Sequence, residues 1–258
     1  MQRKTNIIAT LGPATHSEKV LLHMAPYIDM VRLNFSWGTY EEMEELITLV
    51  RKVSDTTGKK ISIIQDLSGP RANDEGGHHF KETSTKAITE KDEKDLAFGI
   101  SHNVDYVALS YIGGKEDVIS LKNKITALGV NTPVIAKIER REAVEKIEEI
   151  IEASDAIMIA RGDLGQAFPI EEIPFIERKI LSQCVKKNRF VIVATEMMLS
   201  MVSKERPTRA EVTDVAFAVN GGASAVMLSE ETTEGKYPVQ VVEMMDTIVK
   251  YAEEHNAL

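Results

Sequence analysis

The sequence predicts a single (β/α)8 TIM barrel spanning residues 1–258. Three observations point to it. Eight short apolar runs are each followed by a segment of helical period, the length of 258 residues suits one such barrel, and the polar chemistry collects at the C-terminal ends of the runs. The runs are 5–11, 29–35, 61–67, 105–112, 133–139, 156–162, 190–197 and 225–230. A doubly wound open sheet also alternates strands and helices, but the Gly-x-Gly-x-x-Gly turn that marks its dinucleotide-binding form is absent.

Run 5–11 is largely aliphatic and stops at Gly12-Pro13. Run 29–35 carries Arg32 and Asn34 at its end, with Ser36 just beyond. The helix after it repeats Met43, Leu46, Val50 and Val53, and Thr39 with Glu42 has capping-box spacing at its start. Run 61–67 ends at Asp66-Leu67. The connection that follows, 68–88, is long for a βα loop, so it is either functional or mobile. It contains Asp74-Glu75-Gly76-Gly77-His78-His79. Adjacent histidines cannot both face one site on a regular element, so an exposed polar loop is the simpler reading beside a metal role. Thr89 with Asp92 opens the third helix, Thr208 with Glu211 a later one, and Pro238 suits the first position of the last. Between runs 133–139 and 156–162, Val144, Ile147 and Ile151 mark one helix face.

The barrel reading puts chemistry where the runs end. Those ends carry Arg32, Asn34 and Ser36; Asp66; Lys137 and Glu139; Gly162 and Asp163; Thr195 and Glu196; and Ser229, Glu230 and Glu231. Lys137 and Glu139 are two residues apart and share a strand face, with Asp163 at the end of the next run. A lysine beside two carboxylates is what a divalent metal and an anionic substrate need. A structural ion-pair network at a barrel rim is the alternative for the same residues.

Composition narrows the partners. The chain is 43% hydrophobic and 28% charged with a net charge of -9, so nucleic acid and anionic membrane are excluded as main partners. Any phosphate must be held by a local group of cations. One cysteine, Cys184, rules out a disulfide within the chain and makes the cytoplasm the simplest compartment. The N-terminus runs straight into a strand with no signal peptide, and no apolar run is long enough to span a bilayer.

Eight segments in order resemble pyruvate kinase: Ile8–Ala14, Arg32–Ser36, Asp66–Pro70, Ala136–Glu139, Ala160–Gly165, Ala194–Met197, Arg206–Val212 and Ala225–Ser229. The resemblance covers nearly the whole chain, but the short loop 68–88 stands where the family inserts a β-rich lid, and the family's C-terminal regulatory domain has no counterpart. It implies transfer of a phosphoryl group from phosphoenolpyruvate to ADP, giving pyruvate and ATP. Glu139 and Asp163 would ligate Mg2+ or Mn2+. Lys137 would neutralise the transferring phosphoryl group and Arg32 would hold the phosphate. The amides of Gly162 and Asp163 would receive the substrate carboxylate, and Thr195 would orient the proton that makes pyruvate. The resemblance also implies a monovalent-cation site for K+ at Asn34, Ser36 and Asp66. Arg71 stands where potassium-dependent members carry glutamate and potassium-independent ones lysine, so its guanidinium either replaces the ion or is only a loop cation. With Asn34, Trp37 is the nucleotide-side candidate, its indole stacking on an adenine or covering the barrel rim.

The departures cluster on the nucleotide side: Trp37 for histidine, Asn73 for arginine, Glu196 for glutamine, and Gly221, Ser224 and Glu230 at further family positions. They keep two other readings open. One is a metal-dependent lyase, aldolase or decarboxylase of a 2-oxo acid; the other is a phosphoenolpyruvate-binding protein without catalysis. The family also implies a homo-oligomer, a dimer or tetramer, with Arg161 and the segment Phe168 to Glu177 where barrels meet.

Overall fold

The computed structural model describes residues 3–74, 77–80 and 86–255, with the side chains of 72–79 outside that description. Ten strands occur among these residues: β1 (Asn6–Thr10), β2 (Met30–Asn34), β3 (Ser62–Asp66), β4 (Arg71–Asp74), β5 (Gly77–Phe80), β6 (Tyr106–Leu109), β7 (Val134–Ile138), β8 (Ala156–Ala160), β9 (Phe190–Ala194) and β10 (Ala225–Leu228). Eight close as a parallel barrel in the order β1-β10-β9-β8-β7-β6-β3-β2, and β4 and β5 form a separate antiparallel pair. This is the predicted (β/α)8 class. By its internal contacts the chain divides into two compact units.

One unit comprises residues 1–33, 38–63 and 192–258. In it β1 pairs with β10, Asn6 against Ala225, and with β2, Ile8 against Met30. The guanidinium of Arg3 joins Asp29, Asp246 (Nε to Oδ1, 2.7 Å) and the Tyr27 carbonyl, and Asp29 also accepts from the Ile7 amide at 2.8 Å. Arg3 therefore ties the entry to β1 to the helix Pro238–Glu254. Thr39 and Thr208 cap their helices with reciprocal bonds to Glu42 and Glu211, and Pro238 is the first residue of its helix, as the sequence spacing predicts.

The other unit comprises residues 34–37 and 64–191. Here β7 and β8 are buried at every position, as parallel strands covered on both faces must be. Their register sets Lys137 against Met158. The helix opened by Thr89 has its capping box, and the Asp92 carboxylate also accepts from the Gly69 amide at 3.0 Å. That bond fixes the start of the connection after β3 to a helix cap.

Three expectations are corrected. Run 156–162 stops as a strand at Ala160, and a helix, Arg161–Ala167, begins at once. Gly162 and Asp163 thus occupy its first turn, where an acidic side chain is favourable against the helix dipole. Run 190–197 stops at Ala194, because Thr195 and Glu196 take positive φ of 71° and 55° and turn the chain. Connection 68–88 is not all loop: Arg71–Asp74 and Gly77–Phe80 pair in register Arg71 to Phe80, after a turn at Gly69 with φ 65°. Residues 75–76 and 81–85 lie outside the described residues, as do the His78 and His79 side chains, so the reading of those histidines is not carried further.

Candidate active site

Lys137 and Glu139 leave the end of β7 on one face, and the local geometry follows from the strand's two-residue period. Lys137 Nζ lies 2.8 Å from Glu139 Oε1 and 3.3 Å from Asp66 Oδ1, and donates to Ser110 Oγ at 2.7 Å. Ser110 in turn donates to the Leu67 carbonyl at 2.7 Å and lies 3.3 Å from Asp66 Oδ1. The lysine is 3% exposed, Glu139 2% and Asp66 1%. Burying an ion costs several kcal/mol, and well-packed apolar residues often serve stability as well as a buried ion pair does. A purely structural role is therefore a poor account of three ionisable groups at the ends of two barrel strands.

Glu139 is the perturbed member. Burial pushes its carboxyl up to about 7, with the nearby charge of Asp163 adding to the rise; Lys137 and the Tyr111 amide oppose it. Two carboxylates that repel each other, Glu139 buried and Asp163 half-buried, suit a divalent cation. Among the described residues no group of three or more His, Cys, Asp or Glu side chains is placed to hold a metal. Two hard-oxygen ligands are nonetheless enough for Mg2+, which usually keeps several waters and substrate oxygens in its coordination shell. The donor set fits the ion that the resemblance implies.

Sequence reasoning missed Tyr111. Its backbone amide donates to Glu139 Oε2, and its hydroxyl donates to Asp163 Oδ1 at 3.0 Å. It sits at φ 55° although it is a buried aromatic, a conformation costing roughly 1–3 kcal/mol that persists only where its surroundings enforce it. Burial, reinforced by Asp163 and Glu139, pushes its phenol well above the ordinary range, so it remains a proton donor. Its ring packs 5.7 Å from that of Phe80 and 5.6 Å from the Arg71 guanidinium carbon, so the hairpin lies against it. Arg140, directly after Glu139, lays its guanidinium 3.8 Å from the centre of the Phe80 ring and donates to the Tyr111 carbonyl at 3.3 Å. The only signal for Tyr111 was an aromatic at the end of an apolar run, which reads as core.

The remaining predicted residues take these places. Asn34 accepts the Ser36 amide on its side chain at 3.1 Å, a local turn, and the Phe35 amide donates to the Asp66 carbonyl at 3.0 Å. Among the described residues the buried Ser36 hydroxyl and Arg71 Nε have no hydrogen-bond partner. Trp37 is 56% exposed. In the other unit, Arg32 Nη1 lies 3.4 Å from Thr10 Oγ1, and Thr195 donates to its own Ala194 carbonyl at 2.6 Å. Glu231 was seen only as a rim residue. It is fully buried, accepts from Met198 N at 2.9 Å and Ser229 N at 2.7 Å, and so fixes the loop that carries Thr195.

Fold and cluster together define a (β/α)8 barrel bearing the strand-end charged site of a barrel enzyme. The barrel-domain model of the pyruvate kinase family matches residues 2–83 and 79–242. The chain is 34% identical over 337 residues to a pyruvate kinase of Mycobacterium intracellulare, covering 99% of this chain and 71% of that protein. It is 33% identical to pyruvate kinase 2 of a Synechocystis strain, covering 99% and 58%, and 33% identical to a pyruvate kinase of Thermococcus litoralis, covering 98% and 70%. The chain belongs to the pyruvate kinase family. The match to the barrel model divides within the hairpin connection, and the 337 aligned positions against the first relative exceed the 258 residues of the chain, so that relative carries residues with no counterpart here.

Proposed function

We propose that this chain transfers the phosphoryl group of phosphoenolpyruvate to ADP, giving pyruvate and ATP, on its barrel. Its 258 residues would then be one domain, with the connection 68–88, hairpin included, in place of a lid. The observation that carries this reading is the buried Lys137 held against Glu139, Asp66 and Ser110 at the strand ends. Phosphoryl transfer needs little covalent chemistry from the protein and much positioned charge. The Lys137 ammonium, fixed on three sides, meets the charge that develops on the phosphoryl group without reorganising. Arg32 grips the phosphate, the Gly162 and Asp163 amides take the substrate carboxylate, and Thr195 orients the proton delivered to the enolate carbon. Glu139 and Asp163 would hold Mg2+ or Mn2+, which supplies Lewis-acid polarisation of the substrate oxygens.

Asn34, Ser36 and Asp66 form the monovalent-cation site, with Arg71 standing in for K+; its buried Nε without a partner supports a cation placed for its charge. Asn34 and Trp37 lie on the nucleotide side, and the exposure of Trp37 leaves its indole available for stacking on adenine. Ile170 and Phe175 are 81% and 72% exposed, which supports a homo-oligomer through segment 168–177. Among the described residues no helix is long and apolar enough to cross a membrane, and a cytoplasmic, glycolytic enzyme is the setting we infer.

The test is pyruvate formation from phosphoenolpyruvate with Mg2+ and ADP, with and without K+, beside Lys137→Met and Glu139→Gln. Turnover that needs ADP and is lost in both variants supports the reading. Turnover without ADP would replace it with lyase, aldolase or decarboxylase chemistry, and binding without turnover with a phosphoenolpyruvate-binding role.

A further inference from the structure

We infer that Tyr111 is a positioning residue that aims both metal-binding carboxylates and favours a small octahedral cation over a larger one; this rests on the reading of Glu139 and Asp163 as ligands. One residue grips both groups. Its amide holds Glu139 Oε2 and its phenol holds Asp163 Oδ1 at 3.0 Å, although the two carboxylates come from different elements. The positive φ of 55° is what lets a single residue face Glu139 with its backbone and Asp163 with its side chain. The ring is held in turn by Phe80 at 5.7 Å and by Arg71 at 5.6 Å, so the phenol has a fixed direction.

The chemistry follows from that hydrogen bond. A carboxylate oxygen that already accepts a phenol proton is a weaker ligand than its twin. Asp163 therefore offers a cation one oxygen, in a set orientation, rather than both. Mg2+ and Mn2+ bind carboxylates well through one oxygen each, whereas Ca2+ readily takes both oxygens in a looser shell. The hairpin gains a role by the same route: through Phe80 it braces the residue that aims the ligands.

The experiment compares Mn2+ and Ca2+ affinity, by titration of free ion without substrate, in the wild type, Tyr111→Phe, Glu139→Gln, and Asp163→Asn with and without Tyr111→Phe. The phenylalanine keeps the ring contacts and removes only the hydroxyl. Tyr111→Phe should weaken Mn2+ about tenfold or more, the usual cost of losing an outer hydrogen bond to a ligand, and Ca2+ by less, narrowing the ratio between the two. In the Asp163→Asn background the same change should have no further effect. Unchanged Mn2+ affinity in Tyr111→Phe while Glu139→Gln binds weakly would overturn this inference alone. Unchanged affinity in Glu139→Gln would overturn the metal reading itself. Equal losses for Mn2+ and Ca2+, or additive losses in the double variant, would reduce Tyr111 to a packing role and sink the proposal.

Discussion

Replacing Glu139 with glutamine removes a titrating group while nearly preserving its shape. In the metal-free protein the Glu139 carboxyl is pushed up to about 7 from an ordinary 4.5, chiefly by burial. A raised folded value means the folded state holds the proton more tightly than the unfolded one. The associated stability is fully present below about pH 4.5 and is lost as pH rises through about 7, a span worth roughly 3 kcal/mol at 1.36 kcal/mol per decade. Urea unfolding in a chelating buffer measures it. The stability of the wild type minus that of Glu139→Gln should fall by roughly 3 kcal/mol across this window and then level off, because the glutamine cannot ionise. Saturating Mg2+ should restore the wild type at the alkaline end, by about 2.7 kcal/mol at one hundred times its dissociation constant, and should do little for the variant. A difference that is flat across the window, or that grows with pH, would refute the reasoning, since it would mean Glu139 is ionised throughout.

Lys137→Met should abolish turnover and destabilise the protein by about 3–5 kcal/mol, since it removes the ammonium that pairs with the buried Asp66 and Glu139; thermal and urea melts should show a smaller loss at acid pH, where Glu139 carries its proton. Glu231→Gln should cost about 1–3 kcal/mol in urea unfolding, because an amide can replace only one of the two acceptors that serve Met198 and Ser229. The same variant should lower kcat more than it raises KM, as its effect reaches the loop of Thr195. Arg71→Glu should make turnover depend on added K+; a K+-insensitive, active variant would show that Arg71 is only a loop cation.

The parts of the fold that were legible share one property: their signal is local. The aliphatic runs of β7 and β8 and the threonine caps at positions 39, 89 and 208 are set by burial on both faces and by hydrogen bonds within four residues. The hairpin at 71–80 was missed because Arg71-Ala72-Asn73-Asp74 has no alternating apolar face to announce a strand. Asp163 was read one element early, since nothing in Ala160-Arg161-Gly162-Asp163 marks the abrupt passage from strand to helix. Lys137, Glu139 and Asp66 were legible as a charged set because ionisable groups after apolar runs are conspicuous. Tyr111 and Glu231 were not, because their roles depend on partners 52 and 33 residues away, which no local pattern encodes.

The pairing of β1 with β10 joins Asn6 to Ala225, and Arg3 reaches the helix that begins at Pro238. During synthesis, then, the first strand made has one open edge until almost all the others have emerged from the ribosome. Its hydrogen-bonding groups and the aliphatic side chains of Ile7 and Ile8 must wait for a partner more than two hundred residues later, with Arg3 lacking Asp246 for longer still. Closure is accordingly a late, long-range event, of the kind that slows folding and lengthens exposure to aggregation. For this chain the vulnerable period is the interval between the appearance of β1 and the arrival of β10, and chaperones acting on nascent chains would find their target there.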